Sequence, residues 1–142
     1  MKKLILTPAF IGAFVCLFLT SCEKEKPLSE LIIGKWQVEY VTQVIYENNE
    51  LKAEYKEYLK ENEIAMQLVT GGTGIFSESN DDYLFSWTFN GTSLTILNLS
   101  QETLVWNVEM NGDKLVWSYD ATDNENPAVT YEYFFTANRV NL

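Results

Sequence analysis

The sequence predicts an all-β domain: an eight-stranded antiparallel up-and-down β-barrel with one amphipathic helix between strands 1 and 2. Three observations lead there. From Ile33 onward apolar and polar residues mostly alternate, the pattern of half-buried strands. Gly71-Gly72, Asn90-Gly91 and Asn111-Gly112 stand between such runs, and pairs of this kind are strong hairpin signals because the turn needs positive φ. These tight pairs occupy the second, fourth and sixth connections. In a meander they therefore gather at one end, and the looser connections gather at the other. An open meander would leave two long aromatic edges bare, so the last strand is expected to close on the first.

The first strand reads from "GKWQVEYVTQVIYE", with Trp36, Val38, Tyr40, Val44 and Tyr46 on one face. "NELKAEYKEYLKENE" breaks the alternation: Leu51, Tyr55, Tyr58 and Leu59 recur at helical spacing among strong helix formers, which predicts a helix over 49–63. Shorter strands follow in "IAMQLVT", "TGIFSES" and "SLTILNL". "YLFSWTF" aligns Tyr83, Phe85, Trp87 and Phe89; "TLVWNVEM" aligns Leu104, Trp106, Val108 and Met110. "KLVWSY" aligns Leu115, Trp117 and Tyr119, and the last strand carries Val129, Tyr131, Tyr133, Phe135, Ala137 and Arg139 on one face. β-Branched and aromatic residues dominate these runs, as a pleated surface favours.

The N-terminus belongs to a different economy. Met1-Lys2-Lys3 is a basic head and Leu4 to Leu19 an apolar run too short to span a bilayer as a helix. With small residues before Cys22, the segment reads as a secretory signal. "LTSC", Leu19 to Cys22, resembles the lipobox of bacterial lipoproteins, which implies cleavage before Cys22 and its lipidation. The expected organisation is a cleaved signal over 1–21, a lipidated Cys22 and tether over 22–32, and the barrel over 33–142. Cleavage removes Cys16 and commits Cys22, so no thiol remains for a disulfide, a metal or catalysis. The formal charge, −10 for the whole chain, becomes about −12 once Lys2 and Lys3 are lost, a poor balance for nucleic acid. Location in the cell envelope follows, as an outer-membrane lipoprotein held through its N-terminal lipid.

The barrel portion resembles the small lipocalin-like lipoproteins of Bacteroidota. Lipocalins open their first strand on Gly-x-Trp, matched by Gly34-Lys35-Trp36, and carry near the end of the last strand an Arg that packs across that Trp, matched by Arg139 in "TANRV". The resemblance spans Leu31 to Leu142 and implies that Gly34, Trp36 and Arg139 close the barrel. This chain is expected to depart from long-chain lipocalins in shorter strands, a helix in the first connection and the lack of a longer C-terminal helix.

Chemistry is sparse. The chain has no His, so Ser-His, Cys-His and His-metal arrangements are excluded. "TGGTG" lacks the Lys of a phosphate loop and reads as a turn; "DATDNEN", Asp120 to Asn126, lacks the Gly and Glu of an EF-hand calcium loop. Neither an enzyme nor a cofactor nor a metal is expected. The expected function is binding of a small apolar or amphiphilic molecule, lined by Tyr40, Phe85, Trp87, Trp106, Trp117 and Tyr133, with Leu51, Tyr55 and Leu59 of the helix as a lid. The alternative is a protein–protein interaction module, an accessory subunit or inhibitor, that turns its acidic loop end toward another envelope protein.

Overall fold

The computed structural model describes residues 25–100 and 102–141. The expected signal segment and Cys22 lie outside the described residues. A short helix α1 (Leu28–Leu31) leads into nine strands: β1 (Gly34–Glu47), β2 (Glu50–Tyr58), β3 (Ile64–Val69), β4 (Thr73–Glu78), β5 (Asp81–Asn90), β6 (Ser93–Leu97), β7 (Leu104–Asn111), β8 (Lys114–Thr122) and β9 (Val129–Val140). All pairings are antiparallel, and β9 returns to β1. β1 and β3 to β9 form the closed eight-stranded barrel, and β2 is an additional strand.

β2 replaces the expected helix over 49–63. The reason lies in β1, which is 14 residues long. One edge of β1 pairs with β9 from Lys35 to Glu47. Its other edge pairs with β3 only from Gly34 to Gln37, which would leave Tyr40 to Glu47 unpaired there. β2 folds back on that stretch, from Tyr40↔Tyr58 to Glu47↔Glu50. A row of unsatisfied backbone groups outweighs a helical spacing of four apolar residues, since "ELKAEYKEY" also satisfies period two. The β1–β2 turn is Asn48-Asn49, at φ 54° and 64°. Asn tolerates this left-handed region better than most residues, so the pair carries a weaker form of the Asn-Gly signal.

The turns also differ in placement. At the β5–β6 and β7–β8 hairpins only the glycine takes positive φ, Gly91 at 66° and Gly112 at 65°, and Asn90 and Asn111 remain the last strand residues. Ser79-Asn80, expected as part of a loose connection, is a two-residue turn with φ of 51° and 76°. Tight turns therefore occur at both ends, and the longer connections at the far end are β6–β7 and β8–β9.

The core fills the end of the barrel where β1 begins. Trp36, Val38, Met66, Leu68, Leu94, Ile96, Val108, Leu115 and Trp117 are almost wholly buried there. Ile32 joins them, fully buried, and Leu28 packs against them. The folded domain thus reaches back to α1, within the stretch expected to be tether. The indole N–H of Trp36 donates to the Ile32 carbonyl at 2.8 Å, so the polar atom of a buried ring is satisfied by the segment that covers it.

Candidate functional site: the aromatic mouth

Register decides which side chains share the inner face. A bulge between Val38 and Tyr40 leaves Glu39 without a direct partner on β9 and shifts the phase of β1. Trp36 and Val38 point inward before it; Val41, Gln43 and Ile45 point inward after it, opposite Phe135, Tyr133 and Tyr131. β8 continues the same rows with Trp117 beside Phe135 and Tyr119 beside Tyr133. One row thus runs across four strands as Tyr55, Gln43, Tyr133 and Tyr119.

These rings stack without a break from the core outward. Trp117 and Phe135 lie 5.6 Å apart and nearly parallel at 2°. Trp117 stacks on Trp106 at 6.3 Å, Trp106 on Tyr119 at 6.3 Å, and Tyr119 on Tyr133 at 5.2 Å. Phe76 meets Trp106 edge-on at 6.3 Å. Such pairs contribute about 0.5–1.5 kcal/mol each beyond the area they bury. The stack reaches solvent because the β7–β8 ladder stops at Asn107↔Ser118. Beyond that pair the strands part around an open cleft of about 370 Å³, lined by Thr103, Leu104, Val105, Trp106, Tyr119 and Asp120. A smaller recess of about 180 Å³ lies on the inner side of the β1–β2 hairpin, against Val41, Gln43, Tyr55 and Tyr133.

Polar groups are set along this wall. The Gln43 amide donates to the Tyr133 hydroxyl at 2.9 Å. Burial, and secondarily the neighbouring Tyr133, pushes the Tyr119 phenol above its ordinary value. At the rim, Asp123 accepts the backbone N–H groups of Asn126 and Glu125, both at 2.8 Å, and the Tyr131 hydroxyl at 3.0 Å. Those bonds, the Asn126 and Glu125 amides first, hold the Asp123 carboxyl below its usual range, and the Asp123 hydrogen bond raises Tyr131. Asp123 is therefore occupied in shaping its loop. Among the described residues no group of three or more His, Cys, Asp or Glu is placed to hold a metal ion.

Of the six aromatics expected to line a pocket, two border open space: Trp106 at the cleft and Tyr133 at the recess. Trp117 is buried beneath them as the base of the stack. Phe85 is core filling, its ring lying where a Cβ on Gly74 would stand, so Gly74 makes its room. Trp87 belongs to the opposite end, where its indole N–H donates to the Thr73 carbonyl at 2.7 Å beside the Gly71-Gly72 turn. Tyr40 is on the outer face, turned there by the bulge, with its ring 5.5 Å from Tyr58 and the Lys56 ammonium 3.5 Å above it. The three lid residues do not form a lid: Leu51 and Tyr55 stand exposed on β2, and Leu59 packs against the core. Leu104, Tyr119 and Gln43 were missed as site residues. Tyr119 shares its alternation with Trp117, so that signal was present; Gln43 was hidden by the bulge.

At the base, Arg139 lies opposite Trp36 in the β1–β9 register with its guanidinium 4.3 Å from the centre of the ring. It donates to the carbonyls of Ile33, at 2.7 Å, and Leu31. Gly34 sits at φ 138°, and a Cβ there would come within 2.6 Å of the Arg139 guanidinium. Gly34, Trp36 and Arg139 are thus one packed unit at the closed end.

A family model described as "Lipocalin-like domain" matches residues 32–117, more than half of the chain. The chain belongs to the lipocalin-like domain family. The match begins at Ile32, the buried residue that caps Trp36, and it covers the β1–β2 hairpin, the whole barrel wall to β7 and the Trp106–Trp117 pair. No curated protein and no solved structure matches. A lipocalin-like barrel suits ligand binding in general and typically binds rather than catalyses.

Proposed function

We propose that this lipocalin-like protein is an envelope-anchored lipoprotein that holds a small apolar or amphiphilic molecule against the aromatic wall at its mouth, without chemical conversion. The observation that carries the reading is the unbroken stack from Trp117 to Tyr133, opening at Trp106 and Tyr119 into a cleft of about 370 Å³. That volume is at the lower end of small-molecule sites, which combine apolar walls with a few polar groups. Here the polar groups are the Tyr119 phenol, Thr103 and Asp120 at the cleft, with Tyr133 and Gln43 at the neighbouring recess. The chain's acidity favours neutral or cationic ligands over anionic ones.

The test is a fluorescence titration with a neutral apolar dye such as Nile red. Trp106→Ala and Tyr119→Ala should each weaken binding about tenfold or more, the loss expected when a stacking wall is cut. Trp87→Phe, at the other end, should leave binding unchanged. Equal affinity in all four proteins would overturn the site. Anchoring through Cys22 is tested separately by labelling cells with a radioactive fatty acid: the wild-type chain should take up label and Cys22→Ser should not.

The alternative, a protein-interaction module expected to use the acidic loop end, gains support from a different surface. Leu51, Tyr55 and Tyr58 are large side chains 59–67% exposed on a single strand. Tyr55 also lines the recess beside the mouth, so the two surfaces adjoin and the two readings can coexist.

A further inference from the structure

β2 is the end strand of the sheet: β1 covers one of its edges, and no strand covers the other among the described residues. Free edges are usually defended by charge, bulges or proline. β2 carries two such defences, its lysines and a bulge at Lys52, between Ile45 and Tyr46 of β1. Lys52 is drawn toward Glu47 and Glu50, at 3.7 and 3.5 Å. Past the bulge, Ala53 to Tyr58 pairs with β1 in an unbroken register. Among symmetric registers centred from Ala53 to Glu57, its charges and the bulge together leave one undefended.

Two copies of a strand related by a two-fold axis pair antiparallel about a single central residue, because partners must share a face. Centred on Glu54, the pair would set Glu54 against its own copy and Lys52 against Lys56. Centring on Lys56 or on Glu57 sets that residue against itself. Centring on Ala53 needs Lys52 opposite Glu54, but Lys52 is held in the bulge. Centred on Tyr55, Glu54 of each copy faces Lys56 of the other, twice, and Tyr55 faces Tyr55. Opposite charges directly across an antiparallel pair stabilise it, and like charges oppose it.

We propose that this edge pairs with a second copy of the same chain, in antiparallel register about Tyr55. The pairing is small in area and so weak in dilute solution. It joins the two inner walls into one surface, since Tyr55 lies in the row that continues through Gln43, Tyr133 and Tyr119.

The test is oxidative cross-linking of the full chain in its own membrane. Tyr55→Cys places a cysteine on the two-fold axis, where it meets its own copy; Ala53→Cys places one opposite Glu57 of the second copy and away from its own. The first should give a band of twice the mass under mild oxidation and the second should not. Tyr55 is exposed, so its replacement leaves the fold intact. In the Tyr55→Cys background, Lys56→Glu should cut the cross-link about tenfold or more by setting carboxylates against Glu54, and adding Glu54→Lys should restore it. Sedimentation of the unsubstituted chain in detergent should show a concentration-dependent dimer. Equal cross-linking from both cysteine variants, insensitivity to Lys56→Glu, or a monomer at every concentration would overturn the proposal, the last leaving the edge to a partner of different sequence.

Discussion

Gly34 holds a place that a larger residue would disrupt in two ways. Its φ of 138° lies in a region that side chains rarely adopt, and the space above it belongs to the Arg139 guanidinium. Gly34→Ala should therefore destabilise the fold by about 1–3 kcal/mol, the usual cost of a residue held at a strained backbone angle, measured by urea unfolding. Combined with Arg139→Ala the two losses should be less than additive, because both act through one contact. Trp36→Ala should cost about 3–5 kcal/mol, as removal of a fully buried indole implies. Ligand affinity of the folded fraction should survive it, because the mouth is at the other end. The Gly-x-Trp spacing made this unit legible in the sequence. Its partners in α1 were not, because Leu28 and Ile32 sit in a stretch whose charges read as tether.

At the same scale, Tyr119 reports on the wall. Burial raises its phenol above the ordinary value, so the folded state keeps that proton longer than the unfolded chain. Its contribution to stability is complete below the unfolded pKa near 10 and is lost as pH rises through the folded value. An ultraviolet titration should therefore show late-ionising phenols, one of which Tyr119→Phe removes. Asp123 acts in the opposite sense. Its lowered carboxyl contributes above the unfolded value, and that contribution fades as pH falls through the folded one, so acid should loosen the β8–β9 connection only below the ordinary carboxylate range.

Among the elements, β2 and the Glu39 bulge mark the limits of pattern reading. "ELKAEYKEY" satisfies both the helical and the strand period. What decides between them is an empty edge on β1, and that exists only because the β1–β3 ladder ends at Gln37. A ladder length is a property of two strands and the barrel they bend into, and neither strand shows it alone. The bulge is similar: one extra residue reverses Tyr40, Val44 and Tyr46 to the outer face, while the sequence alternates straight through it. Hydrogen exchange followed by NMR in dilute solution, where the chain is monomeric, should show β2 as a strand, with protection at alternate amides, those aimed at β1; a helix would protect a continuous run. The Asn48-Asn49 turn gives a second check. Asn49→Gly should be neutral or slightly stabilising, and Asn49→Val should cost about 1–3 kcal/mol, since a β-branched residue resists φ of 64°.

For the molecule as a whole, strand order and closure were readable. The alternation placed strands and the glycine pairs placed three hairpins, and a closed meander was the arrangement that left no bare edge. The open space was not readable. Trp87 and Trp106 look alike in sequence, yet one seals the end where β1 begins and the other borders the cleft, because the β7–β8 ladder stops at Asn107 while Trp87 is paired with Ile96 of β6 and its backbone N–H donates to the Gly72 carbonyl at 2.7 Å. The account rests on the claim that the mouth holds a small molecule. Native mass spectrometry of the protein extracted from its own membrane tests it most directly. A small adduct released on mild activation, present on the wild-type chain and absent from Trp106→Ala, is the predicted result. A wild-type chain that carries no small adduct, or carries it equally well without Trp106, would contradict it.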